Sequence, residues 1–230
     1  MRVLGFSGSL RRDSYNRKLL QAAAHLFPTR VVFELWPGIG DLPAYSEDLD
    51  RAEPPATVVR LRCDIADADA LIFATPEYNS SVPGGLKNAL DWASRPFATS
   101  ALRREPVAVI GASTGFFGAV WAQAELRRIL RACGAQVLDR QLPLARAAEA
   151  FARDGSLADP ELAAALVEIV RDLVRLARSK EVSDENELRD RVCAHAAREA
   201  GAYAEPRAAC AETPLLSGVN LGNGSWLTAD

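Results

Sequence analysis

The sequence predicts an α/β fold: a doubly wound, five-stranded parallel sheet with helices on both faces. Two observations carry this. Short apolar runs alternate along the chain with longer stretches whose apolar residues recur at helical spacing. The short runs are near-continuously apolar, the pattern of strands buried on both faces.

The elements follow in order. RVLGFS (Arg2 to Ser7) is the first strand, and Leu19, Leu20, Ala23, Ala24 and Phe27 mark the first helix. RVVFELW (Arg30 to Trp36) is the second strand, followed by a loop bearing Gly and Pro and a helix over Thr57 to Ala68. DALIFATP is the third strand and GGLKNALDWA its helix; PVAVIGAS is the fourth, with a helix over Ala119 to Cys133 ended by Gly134. AQVLD is a short fifth strand. A last amphipathic helix spans Pro160 to Ala177, with Asp159 as N-cap and Pro160 at the first helical position. Residues 1–180 read as one flavodoxin-like domain. Residues 181–230 read as an extension: a helix over Ser183 to Gly201, then a tail of small and turn-forming residues expected to dock on the body or a neighbouring subunit, or to stay partly mobile.

Composition bounds the function. A chain of 230 residues, 49% apolar and 25% charged, suits an ordinary globular domain. A net charge of −3 gives no electrostatic reason to expect nucleic acid. Four well-separated cysteines without a Cys-x-x-Cys pair suit a reducing compartment. The first apolar run is too short for a signal peptide and no segment is long enough to span a bilayer, so a cytoplasmic protein with no membrane partner is expected. His25 falls on the first helix and His195 in the tail; no Ser–His–Asp motif occurs, and Cys193, His195 and Cys210 are too sparse for zinc.

Doubly wound sheets bind ligands beyond the carboxyl ends of the strands, where strand order reverses. The loops after strands one, three and four are therefore the candidates. In the first, GFSGSLRRDSYNRKL, a Gly-x-x-Gly turn enters a helix and gathers backbone N–H groups at its positive end. Ser9 and Ser14 can donate hydroxyl hydrogens, Asn16 an amide, and Arg11 a guanidinium fork: a set suited to a phosphomonoester. A dinucleotide fingerprint and a Walker loop are absent, and no cysteine nucleophile stands in the loop. The plainer reading makes Ser14 or Asp13 a helix cap with solvated arginines around it.

GSLRRDSYN resembles the phosphate loop of the NADPH-dependent FMN reductase family, matching at Gly8, Ser9, Leu10, Arg11, Ser14 and Asn16 and departing at Asp13, where the family often has glycine. TPEYNSSVPGGLKNALDW resembles its second signature, and GASTGFFGAVWAQ its third, with Thr114 and Phe116 replacing a proline and a glycine. The resemblance implies FMN as cofactor. Ser9, Leu10, Arg11, Ser14 and Asn16 would hold its phosphate. Pro76, Glu77, Tyr78 and Asn79 would contact the ring and ribityl chain. Ser113, Thr114 and Gly115 would offer N–H groups to the pyrimidine edge. Phe116 or Phe117 would face the ring, or both would pack into the protein. It further implies NADPH or NADH as reductant, hydride transfer to flavin N5, and a quinone, flavin, azo compound or metal oxyanion as the small-molecule electron acceptor. No protein side chain is assigned as catalytic. A homodimer or homotetramer is expected, and Lys87 with Asp91 reads as an ion pair on a helix face or subunit interface. A flavodoxin-like electron carrier and a flavin-binding sensor are the alternatives.

Overall fold

The computed structural model describes residues 1–51 and 53–182. The predicted helix over Ser183 to Gly201 and the tail lie outside the described residues. Strands β1 (Arg2–Ser7), β2 (Val32–Leu35), β3 (Ala70–Thr75), β4 (Pro106–Ala112), β5 (Gln136–Val137) and β6 (Pro143–Leu144) alternate with helices α1 (Tyr15–Ala24), α2 (Ala56–Ala66), α3 (Gly84–Ala93), α4 (Val120–Ala132) and α5 (Pro160–Val182). The sheet is parallel, in the order β2-β1-β3-β4-β5, with β6 also beside β4. This is the flavodoxin-like, doubly wound arrangement the sequence predicts.

Alternation within the central strands sorts the core into two layers. Leu4, Phe6, Leu71, Phe73, Val107 and Val109 face Val58 and Leu61 of α2, Leu86 and Trp92 of α3, and Leu126 of α4. Val3, Ala70, Ile72, Ala108 and Ile110 face Leu19 and Leu20 of α1 and Ile169, Val170 and Leu173 of α5. Every residue of β3 and β4 is buried, as their unbroken apolar sequence requires.

Element ends shift from the sequence reading by up to five residues, as at α5, which runs on to Val182, and two departures have a plain physical cause. Helix α1 ends at Ala24, short of the apolar spacing that reaches Phe27, because Pro28 disfavours helical backbone in the residue before it. Phe27 stacks instead on Phe33, ring centroids 5.7 Å apart. The fifth strand is interrupted. β5 pairs with Pro106 and Val107, the polar run Asp139-Arg140-Gln141 turns out to solvent, and β6 rejoins at Gly111 and Ala112. Buried Gln123 fixes the return: its amide donates to the carbonyls of Gly118 (2.9 Å) and Leu142 (3.1 Å), and its oxygen accepts from Leu142 N–H. Among the described residues no helix is long and apolar enough to cross a membrane.

Candidate functional site

The chain goes from β1 outward to β2, then returns to β3 on the other side of β1, so strand order reverses between β1 and β3. At their carboxyl ends Gly8 N–H donates to Ala74 O at 2.8 Å, tying the first loop to the second. A Cβ on Gly8 would stand 2.9 Å from Leu86 Cδ2 and 3.2 Å from Pro76 Cδ, so this close approach requires glycine.

Ser14 caps α1 with extended backbone, and its Oγ accepts from Arg17 N–H at 3.3 Å. The cap reading and the binding reading are compatible, because the hydroxyl hydrogen is left to donate outward. Ser9, Ser14 and Asn16 are buried; Arg11, Arg12 and Asp13 are exposed and make no ion pair or side-chain hydrogen bond among the described residues. Asp13 does not pair with Arg12.

Asn16 does a different job from the one its residue type suggests. The pairing of β3 with β4 stops at Thr75 opposite Gly111, and Asn16 takes the next position of β4. Its Nδ2 donates to Ala112 O and its Oδ1 accepts from Ala112 N–H, both at 2.9 Å. The amide thus splices the start of α1 to the end of β4.

The second loop is pinned by two carboxylates that the sequence reading did not pair with it. Helix α4 begins with Ala119 in left-handed backbone and no cap of its own. Glu77 supplies one from the second loop: its Oε2 accepts from Trp121 and Ala122 N–H, each at 3.0 Å. Glu125 answers from α4, accepting from Ser81 Oγ at 2.7 Å and Val82 N–H at 3.2 Å. The Ser81 hydrogen bond holds the Glu125 carboxyl below the usual glutamate range, helped by Val82 N–H and opposed by burial. Between these anchors Tyr78 and Ser81 exchange backbone hydrogen bonds of 3.1 Å around left-handed Asn79 and Ser80. Glu77, assigned to flavin contact from the sequence, therefore has its carboxylate on a helix end, while Tyr78 and Asn79 stay exposed.

These carboxylates decide where an anion can sit. Helix N-termini attract negative charge. Glu77 already occupies the start of α4, and Glu125 the entry to α3. The first turn of α1 holds no acidic residue, and Arg11 and Arg12 adjoin it.

The third loop is stitched to the strand after it. Ser113 N–H donates to Leu144 O, Ala147 N–H to Ser113 O, and Arg146 N–H to Gly115 O, each at 3.0 Å. Gly115 N–H donates to Ser113 Oγ at 3.1 Å. Of the three N–H groups assigned to the pyrimidine edge, those of Ser113 and Gly115 are thus engaged within the protein, and that of Thr114 is left. Phe116 and Phe117 do not pack inward: they are 76% and 63% exposed. Phe117 meets exposed Trp121 edge to face at 4.9 Å. With Leu10 (65% exposed) and Tyr78 they give the three loops an apolar rim.

The fold is an α/β protein whose three loops meet at the carboxyl ends of β1, β3 and β4, where strand order reverses and sheets of this kind take their ligands. Residues 1–149 match the NADPH-dependent FMN reductase family, and the chain belongs to that family. It is 44% identical over 160 residues to an NAD(P)H-dependent FMN reductase of Pseudomonas aeruginosa, 69% of this chain and 85% of that one. It is 46% identical over 123 residues to a quinone reductase of Pseudomonas putida, 54% of this chain and 66% of that one. Its fold superposes with a TM-score of 0.69 and 41% identity on FerB, a flavoenzyme NAD(P)H:(acceptor) oxidoreductase from Paracoccus denitrificans, covering 77% of this chain and 97% of that one.

Proposed function

We propose that the chain is an FMN-dependent NAD(P)H oxidoreductase that reduces quinones or related small acceptors. The observation that carries this is the start of α1: a first turn without acidic residues, with Ser14's hydroxyl hydrogen, Arg11 and Arg12 beside it and Asp13 exposed, at the reversal of strand order. These groups fit the phosphate of FMN. When bound, FMN supplies the hydride acceptance from NADPH or NADH and the electron delivery to the acceptor.

The chain's own residues bind and orient. Ser14 and Arg11 hold the phosphate, each charge-assisted bond contributing about 1.5–3 kcal/mol. Leu10, Tyr78 and Phe116 border the ring and exclude water, while Asn79 and the Thr114 N–H are the polar groups left for its edge. Asn16 and Glu77 position the loops through β4 and α4 and need not touch the ligand. Residues 1–180 form the reductase unit in this reading, in the cytoplasm. A homodimer or homotetramer belongs to it too, supported by the exposed Phe117–Trp121 pair and checked by sedimentation.

Purified protein should be yellow and should release FMN on denaturation. Anaerobic NADPH or NADH should bleach it rapidly, and a quinone should restore the colour. Retention of FMN by Arg11→Ala should drop about tenfold or more. Colour without bleaching would replace the reductase reading with an electron carrier or flavin sensor; failure to bind FMN would end both.

A further inference from the structure

Phe116 and Arg146 form a pair that nothing in the fold requires. Phe116 stands on the third loop where the family often has glycine, and it is the most exposed large apolar side chain among the described residues. Arg146 comes from the segment after β6, and its guanidinium centre lies 5.3 Å from the Phe116 ring centroid. The backbone of Arg146 is left-handed, with φ of 46°, a region an L-residue enters at a cost. The hydrogen bonds flanking it, from Arg146 N–H to Gly115 O and from Ala147 N–H to Ser113 O, hold it there against the third loop.

Its charge is also uncommitted. Arg2, Arg51, Arg60, Arg62, Arg131 and Arg140 each have a carboxylate oxygen within 3.4 Å. Among the described residues Arg146 has no ion pair or side-chain hydrogen bond, and its guanidinium lies over the Phe116 ring. An exposed cation–aromatic contact is worth too little to account for the backbone around it. A guanidinium over a ring with no hydrogen-bond partner keeps its N–H groups for carboxylate, sulfonate or phosphate oxygens.

We propose that Phe116 and Arg146 are a specificity platform for planar anionic ligands: the ring stacks on the aromatic side chain and an ionised group meets the guanidinium edge. The inference rests on the reductase reading. The anion has two sources, an acidic group on the acceptor or the additional 2′-phosphate that distinguishes NADPH from NADH.

The test uses FMN-loaded wild type, Arg146→Gln and Arg146→Lys, with matched thermal midpoints as the check on folding. Values of kcat/KM are compared for 1,4-naphthoquinone and its 2-sulfonate, and for NADPH and NADH. Arg146→Gln should lower one charged-to-neutral ratio about fivefold at low salt, with Arg146→Lys retaining most of it and added salt shrinking the difference. A drop in the sulfonate ratio assigns the anion to the acceptor; a drop in the NADPH ratio assigns it to the nucleotide. Calorimetric titration of naphthalene-2-sulfonate or 2′,5′-ADP should show the same loss without turnover. Both ratios and both titrations unchanged in Arg146→Gln would overturn the proposal. Wild type that turns over no neutral quinone would instead strike the reductase reading.

Discussion

Replacing Asn16 with alanine tests how the site is built. The side chain is buried, and its amide makes two 2.9 Å hydrogen bonds to one residue, donating to Ala112 O and accepting from Ala112 N–H. Alanine leaves both backbone groups buried without a partner, at about 1–3 kcal/mol each. The expected loss is about 3 kcal/mol in total, or about 6–12 °C in a domain of this size. Equilibrium urea unfolding of the apoprotein measures the first quantity and a thermal scan the second. Asn16→Asp keeps the acceptor for Ala112 N–H but sets a carboxylate against Ala112 O and near the proposed phosphate position. It should therefore retain FMN less well than alanine does, measured well below either midpoint. An Asn16→Ala protein within about 0.5 kcal/mol of its parent would show that the splice between α1 and β4 is not bearing on stability.

Further predictions concern the other anchors. Glu125 has its carboxyl pKa lowered by Ser81, so it adds stability above its ordinary value of 4.5 and loses it as pH falls through the lower folded value. Glu125→Gln should accordingly flatten the acid limb of a stability profile taken from about pH 5 to pH 3. Removing the borrowed cap with Glu77→Ala should cost about 1 kcal/mol and raise amide exchange at Trp121 and Ala122. Gly118 has φ of 58°, and a Cβ there would lie 2.2 Å from Pro143 C, so Gly118→Ala should be severely destabilising in denaturant unfolding. By contrast, a Cβ on Gly84 meets nothing within 4 Å at the start of α3. There Gly84→Ala should gain about 0.5–1 kcal/mol in the same assay.

The central strands and α3 were legible because their signals are local. Unbroken apolar runs identify β1, β3 and β4, and the Pro83-Gly84 junction marks where α3 begins. The Ser14 cap of α1 was legible for the same reason: the cap and the turn it closes lie within a few residues of each other. What could not be read depends on partners far away in the chain. Asn16 meets Ala112, 96 residues on, and Glu77 meets Trp121, 44 residues on. A carboxylate in a loop of candidate binding residues looks like a ligand contact until the distant helix end it caps is placed beside it. The interrupted fifth strand escaped notice because two-residue pieces carry no periodicity, and the exposure of Phe116 and Phe117 because an apolar residue on a rim and one in a core have the same letter.

The broken outer edge of the sheet makes the fold modular. Each half of that edge is registered to β4 independently: β5 at Pro106 and Val107, β6 at Gly111 and Ala112, with Gln123 clamping the second. The outward excursion between them is a natural seam where additional polypeptide could be grafted without shifting either register, leaving the three loops where they are. A short tag inserted at Asp139, whose side chain is exposed and pairs with Arg131, would be reached from solvent and would leave the Arg140–Asp172 pair on α5 intact.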